Sequence, residues 1–239
     1  MTVHLQRDGD LGRLILDHPP ANTLPDPVFV DPAALAAFLN APDLRGVVVQ
    51  GAGRHFCGGA DIEGLLARLQ NPDALGGALT RGKALLRLLA DAPVPVVAAI
   101  RGQCLGAGLE IALACHARVA SDGAMFGFPE STLGLLPGLG GTVGDGDRVE
   151  RRVRADLLLT GRLLGADEAL ALGLVDRVLP GGGTVAAAEA FLRTWIDGRS
   201  PALVHALMEA MRNARRLPRD EALRRETDLF LRVAREART

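Results

Sequence analysis

Tyrosine is absent from the 239 residues, and the aromatic residues together make up only 3%. So thin a supply excludes the stacked-base platforms on which single-stranded nucleic acid is usually held. An excess of one charge is missing too. The 27 basic and 28 acidic side chains leave a formal net charge of -1, so no global field draws the chain to nucleic acid or to an anionic membrane. Lysine is almost missing: Lys83 stands alone, and arginine supplies the rest of the positive charge. Cysteine occurs three times, at Cys57, Cys104 and Cys115. The odd count and the spacing suit neither a disulfide framework nor a metal site. No apolar run is long enough to span a bilayer, and "MTVHLQRDGDLGRLILDHPP" carries charges where a secretory signal would be apolar. The expectation is a cytoplasmic protein with no membrane and no nucleic-acid partner.

What is present is a well-supplied core. Hydrophobic residues make up 48% and charged residues 23%, the balance of a packed domain. "GRLILDHP" (12–19) alternates like a strand, and "LRGVVVQGAG" (44–53) and "PVPVVAAIRG" (93–102) read as buried strands. "DPAALAAFLNA" (31–41) predicts a helix with Asp31 as N-cap and Pro32 in its first turn. Helices are also expected over 60–70, 76–92 and 106–117, and a strand–turn–strand over 117–130. Beyond about 150 the chain reads as helical throughout, rich in Ala, Leu and Arg. "VVVQGAGRHFCGGADIEGLL" and "VVAAIRGQCLGAGLEIALAC" share one plan of strand, glycine turn, small-residue turn and helix. That echo fits stacked strand–strand–helix units.

The stretch "IRGQCLGAGLEIALACHARVASDGAMFGFPESTLGLLPGLGG" (100–141) sets two acids, Glu110 and Glu130, in apolar surroundings. In "FCGGAD" and "LGAGLE" the glycines follow a strand and precede a helix. Such turns either allow tight helix–strand packing or present free N–H groups at a helix start. Two of them side by side would form an oxyanion hole, in which loss of one donor costs roughly 3–4 kcal/mol of transition-state stabilisation. Two carboxylates in an apolar setting are expected to have perturbed and mutually coupled pKa values, suited to moving protons near neutral pH. Otherwise one of them caps a helix and the other pairs with an arginine.

"HFCGGADIEGL", "PVPVVAAIRGQCLGAGLEIALACHARVAS", "AMFGFPESTLGLLPGLGGT" and "LLLTGRLLGADEALALGLVDRVLP" resemble, in order and spacing, the signatures of the crotonase (enoyl-CoA hydratase/isomerase) superfamily. The resemblance implies an α/β fold: a spiral of strand–strand–helix units over residues 1–180, followed by a C-terminal helical trimerisation region over 181–239. It implies an acyl-CoA thioester substrate, no metal or redox cofactor, and a homotrimer or hexamer. By the same resemblance the N–H groups of Ala60 and Ala107 form the oxyanion hole, and Glu110 and Glu130 are the catalytic pair. Gly59, Asp61, Ile62, Gly106, Pro129, Leu135, Pro137 and Gly138 fall at substrate-binding positions. Asp61 is expected to bond backbone at its helix start, and His55 and His116 to be surface or packing residues without a catalytic role. Leu135, Leu136 and Leu139 would either wall the acyl pocket or pack the core.

The reaction implied is hydration of a 2-enoyl-CoA. Glu110 takes a proton from the attacking water, and Glu130 protonates the α-carbon. An isomerase relying on Glu130, or a family member without catalysis, are the other readings. "TVGDGDRVERRV" (142–153) departs from the family pattern, and Gly144 and Gly146 weaken a helix start by roughly 1 kcal/mol each. The family commonly continues past "LFLRVAREART" into a helix with a basic cluster, so arginines elsewhere are expected to meet the CoA phosphates. The proline-broken "TLPDPVFVDP" leaves a carrier-protein-linked substrate open.

Overall fold

Val3 and Leu5 alternate with the polar residues Thr2, His4 and Gln6 in a strand not expected from the sequence. β1 (Thr2–Asp8) pairs antiparallel with β2 (Leu11–Asp17) at the edge of the main sheet. The computed structural model describes residues 1–143 and 150–236; Gly144 and Gly146 lie outside them. The chain continues through α1 (Pro32–Leu39), β3 (Gly46–Gly51), α2 (Ile62–Arg68), α3 (Pro72–Ala90), β4 (Val96–Ile100), β5 (Gln103–Leu105) and α4 (Ala107–Ala114). Next come β6 (Ala117–Ser121), β7 (Met125–Gly127), a 3-10 turn (Pro129–Leu133) and α5 (Arg151–Thr160). β8 (Leu163–Gly165), α6 (Ala166–Ala171), β9 (Arg177–Leu179), α7 (Thr184–Ile196), α8 (Pro201–Arg216) and α9 (Arg219–Glu236) complete the order.

Six strands form the main sheet in the order β1-β2-β3-β4-β6-β9, parallel from β2 onward. β4 and β6 are buried along their whole length, and β4 accordingly reads as an uninterrupted apolar run. Alternate residues serve opposite faces. Val47, Val49, Val96 and Ala98 join one core with α1, α3 and α4. Val48, Val97 and Val119 join another with Ala188, Leu192 and Ile196 of α7. A Cβ at Gly46 would meet Leu192 Cδ2 at 2.6 Å, so glycine there lets α7 seat against the sheet.

A second sheet, β5-β7-β8, is small. Its strands explain the echo in the sequence. β4 lies in the large sheet, β5 in the small one, and α4 follows. β6 and β7 repeat the step, and Cys57 bridges to Cys104 before α2. Each unit contributes a strand to one sheet, a strand or bridge to the other, and then turns through a helix.

Two expectations need correction. The segment beyond 150 contains β8 and β9 as well as helices; three-residue strands are too short to show a period. The helix expected from residue 76 begins at Pro72, with Asn71 accepting from the Ala74 N–H at 3.1 Å. The pair Gly76–Gly77 reads as an interruption, but an N-cap asparagine followed by proline outweighs it. α1 matches its expectation: the Asp31 carboxylate accepts from the Ala34 N–H at 2.9 Å.

Candidate active site

The two small-residue turns lie edge to edge. The Cys57 N–H donates to Gln103 O at 3.0 Å, and the Leu105 N–H donates to Cys57 O at 3.0 Å. Beyond this ladder the chains turn away at Gly59 (φ 101°) and Gly106 (φ 50°), in backbone conformations that side chains other than glycine rarely adopt. A Cβ on Gly59 would stand 3.8 Å from the Ala107 nitrogen, which places that N–H beside the turn leading into Ala60. Ala107 is the first residue of α4 and therefore has no intrahelical acceptor. Around Ala60 the bridging bonds run from Leu24 N to Gly59 O and from Asp61 N to Leu24 O. No hydrogen bond from the Ala60 or Ala107 N–H is found among the described residues.

Glu110 sits in the first turn of α4, 4% exposed. Its Oε1 accepts from the Leu139 N–H at 2.8 Å and the Gly141 N–H at 2.7 Å. The loop 138–141 thus fixes one oxygen of the carboxylate. Burial is the largest influence on its acidity and pushes the pKa up to about 7, against the lowering effect of the two amides; the charge of Glu130 raises it further.

Glu130 comes from the 3-10 turn, with Pro129 at the first position of that turn. A Cβ on Gly106 would meet its Oε1 at 2.7 Å, so this carboxylate stands over the start of α4. Glu130 Oε2 is buried without a hydrogen-bond partner, and so is Ser131 Oγ. Burial raises the Glu130 carboxyl above the ordinary carboxylate range. The fold thus brings the two acids to one helix start, although 20 residues separate them. Neither follows the alternative of cap or arginine pair: no ion pair to Glu110 or Glu130 is formed among the described residues.

The remaining candidates divide. Gly59 and Gly106 form the turns. Pro137 is buried, while Gly138 and Leu135 are half-buried on the loop that leads to Leu139. Leu139 is buried and lines a cavity of about 390 Å³ that Glu110 also lines. Leu136 is 71% exposed, so it neither walls a pocket nor packs a core. Ile62 is exposed at the start of α2. Asp61 is the N-cap of α2, yet its side chain makes no capping hydrogen bond. The expected backbone contact is absent; the carboxylate lies near Gly64, where a Cβ would meet Oδ2 at 2.8 Å.

His55 and His116 do serve structure. Each Nδ1 accepts a backbone N–H, from Gln103 and Val96 respectively. Burial pushes the Cys57 thiol up to about 12 and raises Cys104 well above its ordinary value, which makes both poor nucleophiles. Among the described residues no group of three or more His, Cys, Asp or Glu could hold a metal ion.

One residue that supports the site escapes sequence inspection. Asn22, buried at φ 56°, accepts from the His18 N–H and donates to Ala52 O at 2.9 Å and His55 O at 2.8 Å. It ties the end of β2 to the segment entering the first turn. The only signal is an asparagine after a proline pair in "HPPANT", the residue type that best tolerates a left-handed backbone after glycine.

The sequence profile of the enoyl-CoA hydratase/isomerase family matches residues 8–239. A probable enoyl-CoA hydratase, echA8, of Mycobacterium tuberculosis is 35% identical over 233 residues, spanning 96% of this chain and 88% of that protein. Among solved structures, an enoyl-CoA hydratase from a Polaromonas species superimposes with a TM-score of 0.86 at 29% identity, covering 96% of this chain and 90% of that one. One from Bacillus anthracis does so with a TM-score of 0.84 at 28% identity, covering 96% and 90%.

Proposed function

The chain belongs to the enoyl-CoA hydratase/isomerase family, and on that premise we propose that it is a hydro-lyase adding water across the 2,3 double bond of an enoyl-CoA thioester. The thioester oxygen accepts from the Ala60 and Ala107 N–H groups. Negative charge that develops there is met by fixed amides and by the start of α4. The β-carbon becomes electrophilic. Glu110, held by Leu139 and Gly141 through one oxygen, takes a proton from water as the oxygen bonds to that carbon. Glu130 delivers a proton to the α-carbon. Each proton has a carboxyl partner, and the same groups run the dehydration in reverse. As written, the reaction needs neither a metal nor a redox group.

The observation that carries this reading is the convergence of both acids on the start of α4, each with its pKa raised by burial. Two interacting acids whose proton affinity burial has raised suit a step in which one must hold a proton and the other must accept one. An isomerase with one working acid would not require Glu110 to be both buried and anchored. The proposed assembly is a homotrimer or hexamer, built through α8 and α9. Leu223, Phe230 and Leu231 of α9 and Leu207 and Met211 of α8 are exposed, which fits a covered face. No helix among the described residues is long and apolar enough to cross a membrane. The test is hydration of crotonyl-CoA, followed by loss of the conjugated thioester absorbance. Wild type should turn over, and Glu110→Gln and Glu130→Gln should each be severely impaired while remaining folded. A fully active Glu110→Gln variant would remove the two-acid mechanism.

A further inference from the structure

The cavity beside Glu110 has apolar walls and a cationic rim. Leu86, Leu113 and Leu157 line it along its length, and it measures about 390 Å³. Lys83 and Arg87, one turn apart on α3, stand exposed at its edge. Neither forms a salt bridge or hydrogen bond among the described residues. Arg154, Arg215 and Arg216 add positive charge to the same lining. Asp91, the acid beside them, is already paired with Arg215 and Arg216. Two like charges at i and i+4 disfavour a helix. The dipole of α3 offsets this for Arg87 in its last turn and leaves Lys83, the only lysine of the chain, without compensation.

The position of the cavity decides what could supply the missing anion. Glu110 lines it; Ala60 and Ala107 do not. A thioester whose carbonyl rests on those two amides, with its β-carbon at Glu110, enters the cavity with the far end of its acyl chain. The nucleotide lies in the opposite direction along the thioester. The volume suits a short acyl chain.

We propose that this cavity receives the distal end of the acyl group and that this end carries a carboxylate, so that the preferred substrates are enoyl thioesters of dicarboxylic acids. This rests on the thioester orientation of the proposed function. The apolar walls take the methylene chain, and Lys83 and Arg87 take the terminal carboxylate by charge-assisted hydrogen bonds.

The test compares two saturated ligands of equal chain length, hexanoyl-CoA and adipyl-CoA, by isothermal titration calorimetry on the full chain. Adipyl-CoA is expected to bind at least tenfold more tightly, and the ratio should shrink as salt is raised, because the cations are exposed. In Lys83→Met/Arg87→Leu the ratio should collapse toward one, whereas Lys83→Arg/Arg87→Lys should keep it. Equal or weaker binding of adipyl-CoA overturns the proposal, as does a ratio that survives in the Met/Leu variant. Equal weakening of both ligands and of coenzyme A itself in that variant also overturns it, since the cations would then hold the nucleotide phosphates. Hydration of trans-2-hexenoyl-CoA, assayed in parallel, separates the two claims. Turnover without an affinity ratio sinks only the dicarboxylate assignment. A ratio without turnover of either trans-2-hexenoyl-CoA or the matching 2-enoyl thioester of adipic acid sinks only the hydratase reading.

Discussion

α2 and α4 follow turns of the same kind and end in different places. Both start after a positive-φ glycine, and each is preceded by a β-branched strand of the main sheet. α2 has no buried residue; Ile62, Leu66 and Leu69 are exposed on or beside it. α4 is buried from Ala107 to Ala112. Each has an acid in its first turn, Glu63 in α2 and Glu110 in α4. Burial in α4 changes the chemistry of Glu110, with desolvation as the dominant influence. In the proposed site one turn would offer its amide from the half-buried Ala60, the other from the buried Ala107. A turn motif therefore marks where an N–H points, and the packing of the following helix decides whether an acid there can work as a base near neutrality.

The largest expected effect breaks this symmetry directly. Glu110→Gln should lower hydration by about 10²–10⁴-fold, the usual range for loss of a general base, whereas Glu63→Gln should leave it unchanged; steady-state kinetics on crotonyl-CoA checks both. Ala107→Pro removes the N–H at the first position of α4, where proline is otherwise well suited. Hydration should fall by about 10²–10³-fold, with the circular dichroism spectrum retained.

A stability measurement sharpens the same contrast. With its pKa raised from 4.5 to about 7, the folded Glu110 binds its proton more tightly than the unfolded chain does. Its contribution is full below the unfolded pKa and is lost as pH rises through the folded one. Wild type should therefore lose about 3 kcal/mol of stability from this group across that window, at about 1.4 kcal/mol per unit. Glu110→Gln lacks the dependence, so urea midpoints of the two proteins should shift in favour of the variant as pH rises. Parallel curves would contradict the burial account.

Packing should differ as well. A Cβ on Gly108 of α4 would meet Cys57 Cβ at 2.8 Å and the Cys57 carbonyl oxygen still more closely, so Gly108→Ala should cost about 1–3 kcal/mol of stability. On α2 a Cβ at Gly64 meets only the free end of the Asp61 side chain. Gly64→Ala should be neutral or stabilising by up to about 1 kcal/mol. The smallest effect concerns caps. Asp31→Ala should cost about 1 kcal/mol, because Asp31 caps α1, and Asp61→Ala less than about 0.5 kcal/mol. Thermal denaturation resolves these differences.

The buried strands, the capped helix α1 and both glycine turns were legible because each is specified locally: an apolar run, an Asp–Pro start, a Gly pair after a strand. β1 was hidden by the polar residues and exposure of an edge strand, and β8 and β9 by their length. The convergence of Glu110 and Glu130 was implied by resemblance and not by any local pattern, since it depends on how β6, β7 and the 3-10 turn return to α4. Asn22 and the loop amides of Leu139 and Gly141 act through backbone groups far away in the chain, and residue identity carries little trace of such bonds. Asp61 shows the opposite failure: a residue type suited to capping stands at a helix start and makes no cap.

The most direct measurement is the fate of crotonyl-CoA in water enriched in ¹⁸O, with the product analysed by mass spectrometry. The two-acid account predicts a 3-hydroxyacyl-CoA carrying one solvent oxygen on its β-carbon, formed by wild type and not by Glu110→Gln. Movement of a double bond between 3- and 2-enoyl-CoA, with no label incorporated and no need for Glu110, would contradict it.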